Sequence, residues 1–436
     1  MKRGAVGFLA LTLFVSSCSG GTTETADPEE PAAPTTTAAT PTTTASPTTT
    51  QAPTTTTPPT TTAAPTTTQA PTTTTPPTTT AAPTTTQAPT TTTPPTTTAA
   101  PTTTATPTTT TPTPTTTTPT PTTTTAADRW GEQIDTPPEF LFASDVPSRV
   151  RELVEEAVVA ATVEWGNFGP LEYWVAGLDV PAAEALADQY CQRRDDRGQM
   201  GKAECLANEH SAAFLIEMAG EVAAALEAGS LTSAAGRNGA RHWGFHLFTS
   251  SYPVCFDEEL DLCPFSGDQN MAFHEYFHAV QTAHVFTKDH GQQESLMGPM
   301  WWIEGGAEYM ARVTSRHLSD VGTLTASTWT PLADQMTWDM NNDVKPWIAA
   351  NEGASASTIP YGPNQHIGYS YGTWAHAWLA DRFGPDLLLD SFYPNLNDLG
   401  WEGSFVNTYG MSSTDFLADF DAFVDLPISE QLLILD

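Results

Sequence analysis

The unit QAPTTTTPPTTTAAPTTT begins at Gln51 and recurs at Gln69 and Gln87, and looser Thr-Pro repeats run on to about residue 127. Such a stretch buries too little apolar surface to offset the entropy of ordering, so 19–127 is expected to be a disordered tether. Its prolines favour extended conformations with a rise of about 3.1 Å per residue. Dense Thr beside Pro also suits O-glycosylation. Folding is thereby confined to 128–436, which holds every Trp and nearly every Phe of the chain. That part is long for one core, which favours a single domain of two lobes.

The first residues have a different logic. Lys2 and Arg3 precede the apolar run 5–15, and Val15-Ser16-Ser17-Cys18 follows. A charged start, a short apolar run and small residues describe a secretory signal over 1–18, too short for a typical spanning helix. The ending V-S-S-C resembles a bacterial lipobox. That resemblance implies lipidation at Cys18 and an extracytoplasmic domain held to the cell membrane by its lipid alone, or a secreted one if the lipobox goes unused.

Export bears on the other cysteines, Cys191, Cys205, Cys255 and Cys263. An even number in an exported domain suggests two disulfides. Sequence proximity favours Cys191–Cys205 and Cys255–Cys263. A four-Cys metal site is disfavoured, because no C-x-x-C spacing is present.

The net charge of the chain is −34, and 128–436 carries 46 of the 50 acidic and 14 of the 16 basic residues. Such a surface opposes nucleic acid and anionic lipid. It says little about a reaction.

Chemistry concentrates between 274 and 309. His274, Glu275 and His278 form H-E-x-x-H, with Phe273, Phe277, Ala279 and Val280 as apolar neighbours of a helix predicted over 268–286. Residues four apart on a helix are neighbours one turn apart, so both imidazoles can reach one cation while Glu275 leans over it. Neutral imidazoles and an open position for water suit one zinc ion. Such a site needs a third ligand. Glu304, in WIEGGAEY, is one candidate and His284 is the other.

The segment 299–309, PMWWIEGGAEY, resembles the P-x-W-x-x-E-G-x-A-E-Y signature of the gluzincin metallopeptidases. The resemblance implies Glu304 as the third ligand and Glu308 as a carboxylate supporting a histidine from the outer shell. His284 instead matches the last position of the metzincin pattern H-E-x-x-H-x-x-G-x-x-H, with 295–297 as a conceivable methionine turn. The glycine that turns the chain in that pattern is replaced by Gln281. A helix continuing past Gln281 would place His284 roughly 15 Å along the axis from His274, so Glu304 is preferred.

The run 369–379, YSYGTWAHAWL, resembles the Y-x-x-G helix of the alanyl-aminopeptidase-like branch. This implies Tyr369 as donor to the oxyanion of a tetrahedral intermediate, with Tyr371 as a neighbouring alternative. The run 409–416, YGMSSTDF, resembles the Gly-Met-Ser turn that opens the last helix of these proteins. No G-x-M-E-N-like sequence for gripping a substrate N-terminus is present, so endopeptidase action is favoured over exopeptidase action.

Before the motif, a helix is expected from Ser144-Asp145-Val146-Pro147 to Trp165, and strands at 171–178 and 243–252. Helices are expected over 182–194 and 205–227. The fold expected is α+β and zincin-like, with a small mixed sheet in an upper lobe and helices in a lower lobe. The implied protein is a monomeric surface peptidase with a peptide or protein substrate. A zinc-binding surface protein without catalysis is the competing expectation.

Overall fold

A computed structural model describes residues 131–435 apart from 230–233, 240–242, 257–264, 288 and 327–328. The signal, Cys18, the tether and Cys263, the expected partner of Cys255, lie outside the described residues.

Strand β1 (Glu139–Phe142) leads into helix α1 (Ser148–Trp165), β2 (Leu171–Ala176) and α2 (Val180–Asp196). Short helix α3 (Lys202–Asn208), α4 (His210–Glu227), β3 (Gly236–Gly239) and β4 (Phe245–Ser250) complete the mixed part. The sheet order is β1-β2-β4-β3, parallel from β1 to β4, with β3 antiparallel on the edge. Every residue of β2 and β4 is buried, as in parallel strands covered on both faces.

Side chains alternate between those faces. Trp174 and Phe248 pack edge-on against Tyr190 of α2, while Tyr173 lies on the side of Glu275 and Asp268. On the α2 side, Arg194 is fully buried and donates to both Glu172 oxygens at 2.7 and 2.8 Å. Arg193 and Arg197 reach the same carboxylate, and His246 lies beside it. Burial pushes the Glu172 carboxyl up, but His246 and Arg194 outweigh it and hold it at about 2.

The disulfide Cys191–Cys205 is formed and ties α2 to α3. The helix expected over 205–227 is two helices, broken at Glu209, whose ψ of 116° is extended. Glu209 caps α4 by accepting from the Ser211 amide, a local bond that competes with helix continuity.

Helix α5 (Phe265–Ala283) follows, then α6 (His290–Met297), α7 (Met300–Asp320) and α8 (Leu332–Asp339). A π-helical turn (Met340–Val344) joins α8 to α9 (Lys345–Ala350), and α10 (Gln365–Phe383), α11 (Tyr393–Tyr409) and α12 (Ser413–Val424) follow. All four strands precede α5, and every regular element described after it is helical. The fold is thus α+β with a mainly helical second half. Ser412 caps α12 by accepting from the Asp415 amide, at the expected Gly-Met-Ser turn. No described helix is long and apolar enough to cross a membrane.

Helix α5 is seated between these halves by aromatic packing. Trp165 stands edge-on to Phe273 and Phe277 at 5.6 and 5.0 Å between ring centroids. The Tyr276 hydroxyl donates to the Gly166 carbonyl at 2.6 Å, fixing α5 to the end of α1.

Candidate metal centre

Helix α5 presents His274 and His278 one turn apart, and α7 brings Glu304 against them. The two Nε2 atoms are 3.1 Å apart. Glu304 Oε2 lies 3.4 Å from His274 Nε2 and 3.2 Å from His278 Nε2. All three side chains are buried, and this is the one group of three potential ligands found among the described residues.

The donor set fits a small divalent cation. Ligand atoms at about 2.0–2.1 Å from a tetrahedral centre stand roughly 3.3–3.4 Å apart, close to the triangle seen. The outer nitrogens are occupied. His274 Nδ1 lies 3.1 Å from Glu308 Oε2, and His278 Nδ1 lies 2.7 Å from Gln281 Oε1. With both acceptors taking an Nδ1 proton, the two Nε2 lone pairs converge with Glu304 Oε2, which among the described residues has no donor outside this triad. Three converging lone pairs repel unless positive charge lies among them. Burial pushes the His274 imidazole down, yet Glu304 and Glu308 outweigh it and raise it to about 10, so that without a cation a proton supplies the positive charge. Burial likewise opposes ionisation of Glu304, but the two histidines hold it below the usual carboxylate range.

Glu275 is buried beside this group, and neither of its oxygens has a hydrogen-bond partner among the described residues. Burial pushes its pKa up, opposed by His278 and His274. Strand β3 passes so close that a Cβ at Gly236 would overlap Glu275 Oε1. The glycine lets backbone approach the carboxylate.

The helices supplying the rest of the site meet through glycine. A Cβ at Gly305 would overlap Gly372, and one at Gly372 would overlap the Trp301 carbonyl, so α7 and α10 cross backbone to backbone. That crossing brings Tyr369 to the His274 ring. Helix α10 begins at Gln365, so Tyr369 stands in its second turn rather than at its opening. Tyr371 is turned away and donates to Asp421 at 2.8 Å.

The alternative third ligand is not brought in. Helix α5 stays continuous through Gln281 and ends at Ala283, three residues before the expected end. His284 then bonds to the Val280 carbonyl at 2.8 Å and packs edge-on to Phe168 at 5.3 Å.

Four supporting residues lay beyond the sequence reading. Gln281 orients His278 and is itself held, its amide donating to the Ile303 carbonyl and the Tyr393 hydroxyl at 2.8 and 3.1 Å. Its place three residues after His278 was a readable signal. Arg312 donates to Glu308 at 2.6 Å and to Asp339 at 2.5 Å, a pair of carboxylates about one cation. Arg312 stands one turn beyond Glu308, but nothing local marks Asp339. Tyr361 donates to Glu304 Oε1 at 2.7 Å across 57 residues, with no local signal at all. No family model, curated protein or solved structure matches the chain.

Proposed function

We propose that the chain is a zinc-dependent peptidase of gluzincin type, cleaving peptide bonds internally from the outer face of the cell membrane. The observation that carries this reading is the pairing of a His-His-Glu donor set with a buried Glu275 that has no hydrogen-bond partner among the described residues. Metal retention does not need that carboxylate. Acid–base chemistry does.

Zinc held by His274, His278 and Glu304 supplies Lewis acidity and lowers the pKa of water towards neutrality. Glu275 accepts a proton from the water that attacks the scissile carbonyl and delivers it to the leaving amine. The Tyr369 hydroxyl donates to the oxygen that becomes negative. Glu308 and Gln281 keep the two imidazoles in the tautomer that points Nε2 inward. In this reading the mixed and helical halves form the two lobes of a zincin-like domain. Cys18 provides the lipid anchor, and 19–127 carries the domain clear of the membrane.

The test is Glu275→Gln in the full chain, assayed by zinc content and by cleavage of a mixed peptide library. Retained zinc with hydrolysis lost supports the assignment. Undiminished cleavage refutes it, and a parent chain that holds zinc but cleaves nothing refutes the peptidase.

A further inference from the structure

We propose that Tyr361 is a positioning residue that reserves a single oxygen of Glu304 for the metal, and so keeps a coordination position open for water or substrate. The proposal rests on the metal-centre reading above and adds to it a residue outside every motif.

A glutamate can give a cation one oxygen or both. The two oxygens of Glu304 have different surroundings. Oε2 faces the two histidine Nε2 atoms at 3.4 and 3.2 Å and, among the described residues, accepts from nothing outside that triad. Oε1 accepts the Tyr361 hydroxyl proton at 2.7 Å. A catalytic zinc site is characterised by three protein ligands and one open position. If Glu304 chelated through both oxygens, that position would be filled by protein. The hydroxyl of Tyr361 engages the oxygen that would do so.

The placement of Tyr361 is built by its neighbours. It lies on the connection from α9 to α10, and Gly362 follows it with φ at +135°, a conformation that L side chains rarely adopt. The Gly362 amide donates to the Gln365 side chain at 3.1 Å, at the first residue of α10. The turn is thereby fixed to the helix that carries Tyr369. Tyr361 is half-buried, and the carboxylate it reaches is buried.

An ordinary supporting hydrogen bond predicts something different. Removing an outer partner of a ligand commonly weakens metal binding by about 10–100-fold. Removing a residue that enforces one-oxygen binding leaves affinity nearly intact and changes the number of ligands instead.

The experiment loads the full chain with cobalt(II), whose visible absorption reports coordination geometry, and titrates it with acetohydroxamate as a probe of the open position. Tyr361→Phe keeps the ring and removes the hydroxyl. Its cobalt affinity is expected to stay within about threefold of the parent, well short of the loss of an ordinary outer partner. Its absorption should change as the second Glu304 oxygen takes the place of the exchangeable ligand, and acetohydroxamate should bind about tenfold more weakly or worse, because protein fills the position it needs. Tyr369→Phe should leave the absorption unchanged. An unaltered spectrum and hydroxamate affinity in Tyr361→Phe overturn the proposal. So does a cobalt affinity lowered about tenfold or more with the bound spectrum unchanged, the mark of simple support. A parent chain that takes up no cobalt overturns the metal centre itself, and this proposal with it.

Discussion

The ring of Tyr369 lies parallel to the imidazole of His274, with centroids 5.9 Å apart and planes 7° apart. Stacking fixes the tyrosine ring beside a candidate ligand. The contact depends on the close crossing of α7 and α10, so the spacing of Tyr369 from Gly372 is mechanical as well as chemical.

Tyr369→Phe retains the stacked ring and loses only the hydroxyl. Turnover should fall by about 10²–10³-fold, as for loss of one oxyanion donor, with zinc content unchanged. Tyr371→Phe is the control. Its hydroxyl serves Asp421, so it should cost about 1 kcal/mol of stability and spare catalysis. Steady-state kinetics and thermal unfolding of both variants check the pair.

Gly372→Ala places a methyl group on the Trp301 carbonyl, at a point where neither backbone can retreat without moving its helix. Overpacking of this kind costs roughly 1–3 kcal/mol. The expected result is a lowered melting temperature together with reduced turnover. A variant as stable and active as the parent would show that the helices are not held by this contact.

The third-ligand assignment is checked by metal content. Glu304→Ala should lose zinc, and His284→Ala should keep it, because His284 is spent on Val280 and Phe168. Gln281→Leu should weaken zinc by about 10–100-fold, measured by competition with a chromophoric chelator. The opposite pattern for Glu304 and His284 would exchange their roles.

Acid should attack the molecule at Glu172. Its folded pKa, about 2, lies below its ordinary value of 4.5. A depressed carboxylate contributes stability that is present above pH 4.5 and is lost as pH falls towards 2. The amount is about 3 kcal/mol by linkage. Glu172→Gln should therefore be markedly less stable than the parent in denaturant at pH 7, with the gap narrowing towards pH 3. A gap that does not change with pH would rule out this ionic contribution.

Parts of the site were legible because they are local. His274, Glu275 and His278 share one helical face, and Glu304 and Glu308 share another, so spacing alone assembles both groups. The helix at 148–165 and the strands β2 and β4 were legible from their apolar patterns. Strand β3, with the sequence Gly-Arg-Asn-Gly, has no side chains typical of a strand and forms because β4 pairs with it. Gln281 stood out in the sequence as a residue that lets the helix continue, and its place three residues after His278 allowed a contact without showing which one forms. Its bond to His278 needs the rotamers that Ile303 and Tyr393 impose. Tyr361 and Asp339 reach the centre across long stretches of chain, and no pattern of spacing encodes such contacts.

At the crossing of Gly305 and Gly372, main chain rests on main chain, with no side chain between to act as a cushion. The ligand helix and the tyrosine helix therefore behave as one stiff frame. A displacement of either helix therefore carries Glu304 and Tyr369 together, and the turn at Tyr361, bonded to Glu304, goes with them.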